Sequence, residues 1–185
     1  IVNELRILET DVAAALVATG VSNSGVSMDG TVATVTGLVE SEEQRTAALA
    51  AAAAVPGVTE VVDQLEVAAP AEDVVAQINE LFELNPIQFA SGSAEILPVS
   101  FGVLDEASAL LARAPAGTNV TVEGYTDTQG PAEANLALSQ GRADAVRTYL
   151  VDKGISGDSL VAAGRGETTE FGTDLAANRR VQLSL

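Results

Sequence analysis

The sequence predicts a chain of mixed α+β and α/β class, built from two small domains. Hydrophobic residues make up 47% of the 185 residues, which is enough to form ordinary cores. Hydrophobic spacing alternates between the helical period and the strand period, which indicates helices packed on sheets. A Pro- and Ala-rich segment at 68–73 interrupts this pattern. We therefore expect an αββαβ domain at 1–67, a linker at 68–73, and a βαβαβ(β) domain with a mixed sheet at 74–185.

Local signals set the elements of the first domain. In order, we predict a helix at 2–19, strands at 24–29 and 31–39, a helix from Ser41 to Pro56, and a strand at 58–67. Asp29-Gly30 lies between two β-prone runs, and a two-residue hairpin turn there requires a positive φ at both positions. Ser41 is placed to cap the second helix, and Gln44 is placed to complete the capping box.

The second domain is punctuated by Pro and Gly in the same way. In order, we predict an amphipathic helix at 73–84, a strand at 87–90, a helix at 98–114, a strand at 119–124, a helix at 131–152, a strand near 160–164 and a strand at 179–185. The long helix at 131–152 and the alternating Val-Thr-Val before Gly124 are the clearest of these signals.

Composition excludes several classes of function. The net charge of −17 repels a phosphate backbone, so we expect no nucleic-acid partner, and it also disfavours anionic lipid surfaces. With no Cys and no His, the chain has no disulfide, no Ser-His-Asp triad and no Cys- or His-based metal site. We predict no cofactor and no enzymatic activity. The alternative is a carboxylate-pair hydrolase that uses Glu123 with Asp127 or Glu167, but no two acids are paired in a recognised arrangement.

The chain contains no apolar run long enough to span a membrane and no signal peptide. It begins in the middle of a helical pattern, with Ile-Val-Asn-Glu-Leu. We therefore expect that an anchoring or targeting segment precedes it.

Three charged residues stand where apolar residues or element ends are expected. On a helical wheel of 131–152, Arg142 falls in the apolar stripe, where an unpaired charge is costly. Strand alternation places Arg179 on the apolar face of 179–185. Asp127 follows a strand and precedes the long helix, a place where α/β sheets bind ions. One acid and two bases there predict a site for a zwitterion.

Each of these residues also has a structural interpretation. Asp127 could cap the helix or organise its loop. Arg142 could be a core arginine paired with Asp127, and Arg179 could only bridge the sheet to a helix. Arg147 and Arg165 are expected to be surface or structural groups, and Gln140 falls on the expected solvated face of the helix.

The first domain resembles the BON domain. The resemblance is carried by the two glycines Gly30 and Gly37, by Arg45, by Pro56-Gly57-Val58, and by the strand sequence Val-Val-Asp-Gln-Leu-Glu-Val at 61–67. It implies a module associated with membrane lipid or with an envelope protein, although the acidic charge weakens a phospholipid-surface role. The alternative is a small α+β packing domain with no such role.

Residues 85–185 resemble the OmpA-like domain of the OmpA, Pal and MotB type. The matching segments are Thr126-Asp127, Leu138-Ser139-Gln140-Gly141-Arg142-Ala143 with Val146 and Leu150, Gly164-Arg165-Gly166-Glu167, Asn178-Arg179-Arg180-Val181, and the start at Ile87–Phe89 with Ser93-Ala94-Glu95-Ile96. Five separate segments agree in spacing and residue type, which makes this resemblance specific.

This resemblance implies non-covalent binding of peptidoglycan, which tethers an envelope protein to the cell wall. The ligand would be the diaminopimelate residue of the stem peptide, which carries an ammonium and a carboxylate on one carbon. Asp127 would accept the ammonium and Arg142 would bind the carboxylate through two hydrogen bonds. Asn135 and Arg179 match further ligand-binding positions, and the helix start near Gly130 would add backbone donors. The expected location is the cell envelope, at the outer membrane or otherwise outside the cytoplasm.

Overall fold

The computed structural model describes residues 2–172 and 175–185, and the chain divides into two compact units, residues 1–69 and 70–185. Each unit contains helices and one three-stranded sheet, so the predicted mixed α and β class is confirmed. Within the described residues, every helix is too short or too polar to cross a membrane.

The first unit has the predicted order of elements. They are α1 (Val2–Ala18), β1 (Ser22–Asp29), β2 (Val32–Val39), α2 (Glu42–Ala53) and β3 (Glu60–Val67). The sheet order is β1-β2-β3, with β1 antiparallel and β3 parallel to β2. Buried side chains of α1, such as Leu16, pack with Val35 and Val39 of β2 and with Leu65 of β3 to form its core.

The hairpin turn differs from the prediction by one position. Asp29 pairs with Val32 as the last residue of β1, so the two turn residues are Gly30 and Thr31. Of Asp29 and Gly30 only Gly30 has a positive φ, of 62°. The prediction of a positive φ at Asp29 was therefore wrong, because a single glycine at the first turn position is sufficient when the second residue keeps a negative φ.

The predicted cap of the second helix is present. The hydroxyl of Ser41 accepts a hydrogen bond from the backbone N–H of Gln44 at 3.2 Å. The side-chain oxygen of Gln44 accepts from the backbone N–H of Glu40, one residue before the cap. The Gln44 amide nitrogen also donates to the carbonyl of Thr19 at 2.9 Å, which joins the start of α2 to the end of α1.

The second unit contains three long helices and a three-stranded mixed sheet. Its elements are α3 (Ala71–Leu84), a 3₁₀ turn (Pro98–Ser100) leading into α4 (Phe101–Leu111), β4 (Val120–Thr126), α5 (Ala132–Asp152), a 3₁₀ turn (Gly157–Ser159), β5 (Leu160–Glu167), α6 (Leu175–Asn178) and β6 (Val181–Ser184). The order is β5-β4-β6, with β5 parallel and β6 antiparallel to β4. Helix α3 begins inside the segment 68–73 that the sequence assigned to a linker, because Pro70 precedes good helix formers with acids in the first turn.

Two predicted strands of this unit were wrong in part. Residues 87–90 form a single bridge, Phe89 to Ile96, instead of a strand. The chain reverses at Gly92, with φ of 63°, so this segment pairs with the residues that follow it. The last strand begins at Val181 rather than at Arg179, because the Arg179 backbone N–H still bonds the Ala176 carbonyl at the end of α6.

Helix α5 lies unusually close to the sheet. A Cβ atom on Gly124 of β4 would stand 2.2 Å from the carbonyl oxygen of Ser139. The Ser139 hydroxyl accepts a hydrogen bond from the Gly166 N–H at 2.9 Å, and the Gln140 side-chain oxygen accepts one from the Gly164 N–H at 2.7 Å. Helix and sheet are therefore joined by hydrogen bonds as well as by packing.

The expectation that Gln140 lies on a solvated face was wrong, whereas Arg147 is a structural group, which is one of the two roles expected of it. Besides the bond of Gln140 to Gly164, Arg147 donates to the carbonyl of Leu160 at 2.8 Å and to that of Gly157 at 2.8 Å. Both side chains are half-buried. A helical wheel cannot show this, because it records direction around the axis but not the polar backbone that the neighbouring strand presents.

Candidate functional site

Asp127 lies directly after β4, in the loop that leads to α5. One carboxylate oxygen accepts the backbone N–H of Gln129 at 2.9 Å, and the other accepts Nη1 of Arg179 at 2.8 Å. Burial raises the pKa of this carboxyl group. The Gln129 N–H, the ion pair with Arg179 and the charge of Arg142 outweigh burial and hold the pKa below its ordinary value. The side chain is only 9% exposed and is ionised at neutral pH.

Arg142 is buried on the packing stripe of α5, as the sequence predicted, with 8% of its surface exposed. Its Nε donates to the carbonyl of Ser93 at 3.2 Å, and its guanidinium lies 4.9 Å from the centre of the Phe89 ring. Among the described residues it takes part in no ion pair. Burial and the charge of Arg179 lower its pKa, while Asp127 opposes them. An arginine remains charged under these conditions.

The ion pair of Asp127 corrects the structural interpretation in which Arg142 was its partner. Asp127 forms its ion pair with Arg179, not with Arg142. Arg179 lies just after α6, so it joins the segment before β6 to the loop after β4. Its side chain is 50% exposed, which leaves part of its guanidinium accessible. Arg142 thus remains a buried cation without a carboxylate partner in the described part of the chain.

Asn135 is buried near the start of α5, one turn after Pro131. Its amide nitrogen donates to the carbonyls of Asp127 at 3.3 Å and Gln129 at 3.1 Å, and to the Glu167 carboxylate at 3.2 Å. These bonds hold the loop that carries Asp127. The amide oxygen accepts no hydrogen bond from the described residues.

A cavity of about 310 Å³ adjoins the two arginines. Its lining residues are Pro86, Ile87, Gln88, Phe89, Arg142, Ala176 and Arg179. Asp127 and Asn135 do not line it, and Asp127 is connected to it through its ion pair with Arg179. Of the four residues predicted from sequence, the structure therefore brings Arg142 and Arg179 to one cavity, with Asp127 behind Arg179 and Asn135 supporting the loop.

Two residues that hold Arg142 were not assigned a site role from sequence. Phe89 lies under its guanidinium and Ser93 accepts its Nε hydrogen through a backbone carbonyl. Both belong to the short hairpin around Gly92. The segments Ile87–Phe89 and Ser93–Ile96 were recognised as part of the family pattern, and that recognition was the one signal that could have pointed to them.

Glu123 is held by an arginine and a tyrosine and is not poised as a general acid. The Glu123 carboxylate accepts hydrogen bonds from Arg165 and, at 2.9 Å, from the hydroxyl of Tyr125. Burial raises its pKa, but Arg165 and Tyr125 outweigh burial, so the pKa lies below the ordinary value and not in the range of a general acid. No group of three or more acidic side chains in the described residues is placed to hold a metal ion.

Comparison with known families identifies the family of the segment that contains these residues. The model of the OmpA family matches residues 88–182, which is more than half of the 185 residues and includes the loop after β4, α5 and the segment after α6. The chain belongs to the OmpA family. In addition, the model of the BON domain matches residues 5–69 of this OmpA family chain. Both resemblances stated from the sequence are confirmed.

Several named proteins are similar to this OmpA family chain. Peptidoglycan-binding protein ArfA from Mycobacterium bovis is 29% identical over 174 residues, covering 86% of this chain and 53% of ArfA. Outer membrane porin F from Pseudomonas fluorescens is 38% identical over 106 residues, covering 54% of this chain and 32% of the porin. The chain therefore spans about half the length of ArfA, 53%, and less of the porin.

Among solved structures, the peptidoglycan-associated lipoprotein from Burkholderia pseudomallei is 29% identical, with a TM-score of 0.47. That match covers 55% of this chain and 97% of the lipoprotein.

Proposed function

We propose that the second unit binds peptidoglycan non-covalently through the diaminopimelate residue of the stem peptide. Membership of the OmpA family supports this, as does the name of a similar protein, which is called peptidoglycan-binding. The proposal assigns the domain a tethering function in the cell envelope and no catalysis.

The observation that carries the proposal is the state of Arg142. A buried guanidinium normally has a carboxylate partner, since leaving a charge desolvated and unpaired costs several kcal/mol. In this chain, with 26 acidic residues against 9 basic ones, no described acid is paired with Arg142. Its two terminal nitrogens donate no hydrogen bond to the described residues, and the side chain lines a cavity. A ligand carboxylate supplies the missing partner.

The other residues fit a zwitterion in which the ammonium and carboxylate share one carbon. Arg142 binds the carboxylate through two parallel hydrogen bonds, and Arg179 contributes its accessible nitrogens to the same group. The ammonium binds Asp127, whose two oxygens each accept one hydrogen bond and retain one free acceptor position. The amide oxygen of Asn135 accepts a second ammonium hydrogen.

For the BON domain we propose contact with a membrane lipid or with another envelope protein. The net charge of −17 favours the protein over an anionic lipid surface. Flotation of the whole chain with vesicles of neutral and of anionic lipid distinguishes the two. Co-flotation would support lipid contact, and recovery in the dense fraction with both vesicles would support a protein partner.

A titration of the whole chain with free meso-diaminopimelate, followed by residue-resolved NMR, tests the proposed site. We expect shifts at Arg142, Asp127 and Asn135. Arg142→Gln should weaken binding about 10- to 100-fold, which corresponds to about 1.5–3 kcal/mol for hydrogen bonds to a charged group. If Arg142→Gln binds diaminopimelate as tightly as the parent, the proposed site is wrong.

Arg147→Gln is the matched control for this titration. Arg147 lies on the same helix, is half-buried, and donates to two backbone carbonyls at 2.8 Å. The two variants lose the same charge from α5, so a loss of affinity caused by net charge or by a weakened helix would affect both. We expect Arg147→Gln to lower stability and to leave the affinity for diaminopimelate unchanged.

A further inference from the structure

A second cavity adjoins the one that Arg142 lines. Its volume is about 260 Å³, and it shares Pro86, Ala176 and Arg179 with the first cavity. Arg179 therefore stands between the two, with one nitrogen bonded to Asp127. A ligand in the first cavity that extends past Arg179 therefore reaches the second cavity.

Arg180 is the charged residue that distinguishes the second cavity. Its guanidinium lies 4.3 Å from the centre of the Phe171 ring, and that ring meets Tyr125 edge to face at 5.2 Å. Its backbone carbonyl accepts the N–H of Tyr125 at 2.8 Å, which fixes its position beside β4. No ion pair among the described residues includes Arg180. The cation is thus held in place by a ring and has no acidic partner within residues 2–172 and 175–185.

The remaining walls of this cavity are largely apolar. Phe82 of α3, Pro86, Phe171 and Ala177 supply carbon surface, and Glu83 is the one acid among the described residues that line the cavity. Glu83 is exposed and pairs with none of the described cations. The cavity therefore offers an arginine beside a small apolar surface, a combination that fits a carboxylate next to a small hydrocarbon side chain.

We infer that this cavity is a second subsite, which binds the free carboxylate and methyl group of the residue that follows diaminopimelate in an uncrosslinked tetrapeptide stem. The inference rests on the proposed function. In that stem, diaminopimelate presents its zwitterion on one carbon, and its other carboxyl group is joined to a terminal alanine. With the zwitterion at Arg142 and Asp127, the alanine carboxylate binds Arg180 and its methyl group packs on the apolar wall.

Replacing Glu83 is expected to have the opposite effect on tetrapeptide binding to replacing Arg180. Glu83 lines the same cavity as Arg180, so its negative charge repels a ligand carboxylate bound there. Because Glu83 is exposed to solvent, this repulsion is screened and lowers the affinity without preventing binding. Removing this charge should therefore strengthen binding of the tetrapeptide. It should change binding of ligands that end at diaminopimelate less, because their own second carboxylate ends one residue short of Arg180.

The experiment is a calorimetric titration of the whole chain with two peptides. The tripeptide ends at diaminopimelate, and the tetrapeptide adds the terminal alanine. The parent should bind the tetrapeptide at least fivefold more tightly than the tripeptide, and Arg180→Gln should bind both equally. Glu83→Gln should increase the preference for the tetrapeptide. Arg113→Gln, at an exposed arginine of the same unit, controls for the change in net charge and should keep the parent preference.

The outcomes separate the subsite from the proposed function. If parent and Arg180→Gln show the same ratio between the two peptides, the subsite is wrong although diaminopimelate binding stands. The same conclusion follows if the parent does not prefer the tetrapeptide. If neither peptide nor free diaminopimelate binds the parent, the proposed function fails and the subsite fails with it. A tetrapeptide whose terminal carboxylate is amidated should bind like the tripeptide, and full retention of affinity by this peptide would contradict the role of Arg180.

Discussion

Replacing Asp127 by Asn tests the proposed ammonium site against a control that the chain itself contains. Asp127 accepts the backbone N–H two residues later at 2.9 Å and an arginine nitrogen at 2.8 Å. Asp63, in the BON domain, accepts the N–H of Leu65 at 2.9 Å and Nε of Arg45 at 2.8 Å. The two carboxylates therefore have nearly identical local partners, but only Asp127 lies beside the proposed ligand site.

The expected loss of stability is similar for both substitutions. An Asn keeps one oxygen, so one of the two accepted hydrogen bonds is lost or turned into a contact between donors. A hydrogen bond to a charged group contributes about 1.5–3 kcal/mol when buried, but Arg179 is half-exposed and Arg45 is 33% exposed, so solvent screening reduces it. We expect Asp127→Asn to lower the free energy of unfolding by about 1–2 kcal/mol, and Asp63→Asn to lower it in the same direction but by somewhat less, because the Asp63 side chain is more exposed than that of Asp127.

The expected effects on binding differ. Asp127→Asn removes the charge that we propose accepts the ammonium, and it should weaken diaminopimelate binding about 10- to 100-fold, which corresponds to about 1.5–3 kcal/mol. Asp63→Asn should leave the affinity unchanged. Urea unfolding followed by NMR signals of each unit, together with calorimetric titration, measures both quantities. The reasoning is refuted if Asp127→Asn binds diaminopimelate like the parent, or if Asp63→Asn weakens binding equally.

Three further predictions concern packing, pH and ligand charge. Gly124→Ala places a Cβ 2.2 Å from the Ser139 carbonyl and should lower the free energy of unfolding by about 2 kcal/mol or more. Gly102→Ala, in α4 with nothing within 4 Å, should raise it by about 0.5–1 kcal/mol in the same urea experiment. Because the folded pKa of Glu123 is depressed, its stabilisation is present above about pH 4 and is lost as the pH falls through the lower folded value. Acid titration of Glu123→Gln should therefore show a smaller loss of stability below about pH 4 than the parent. Amidation of the free diaminopimelate carboxylate should weaken binding about 10-fold or more in the parent and far less in Arg142→Gln. An equal loss of affinity in both proteins would show that Arg142 does not bind that carboxylate.

Helices and paired strands were predictable because their periodic patterns are local. The order of α1 to β3 and the position of α5 follow from spacing, caps and glycines within a few residues of each element. The segment 87–90 has the same β-prone composition as a strand, yet it pairs with its own continuation through Phe89 and Ile96. Which partner a short strand selects depends on the turn that follows, so composition alone misassigned it.

The site was predictable only to the level of residue type and burial. The stripe of α5 showed that Arg142 is buried, since that depends on residues three and four positions away. The contacts of the site residues lie far along the chain. Arg142 bonds the carbonyl of Ser93, 49 residues away, and Asp127 pairs with Arg179, 52 residues away. No local pattern specifies such a pairing, and the sequence left open a pairing of Arg142 with Asp127 that the structure replaces.

The family signature on α5 contains residues that serve helix–sheet packing and one residue, Arg142, that packing does not explain. Ser139 and Gln140 bond the backbone of β5, and Gly124 allows the helix to approach β4, so these positions are explained by packing without any ligand. Arg142 is different, because packing would be satisfied by an apolar residue and its terminal nitrogens bond none of the described residues. A substitution at Ser139 should therefore weaken binding only in proportion to lost stability. Loss of binding with the fold intact is expected for Arg142 and Asp127, and such a separation from the packing positions would support the proposed function rather than the fold alone.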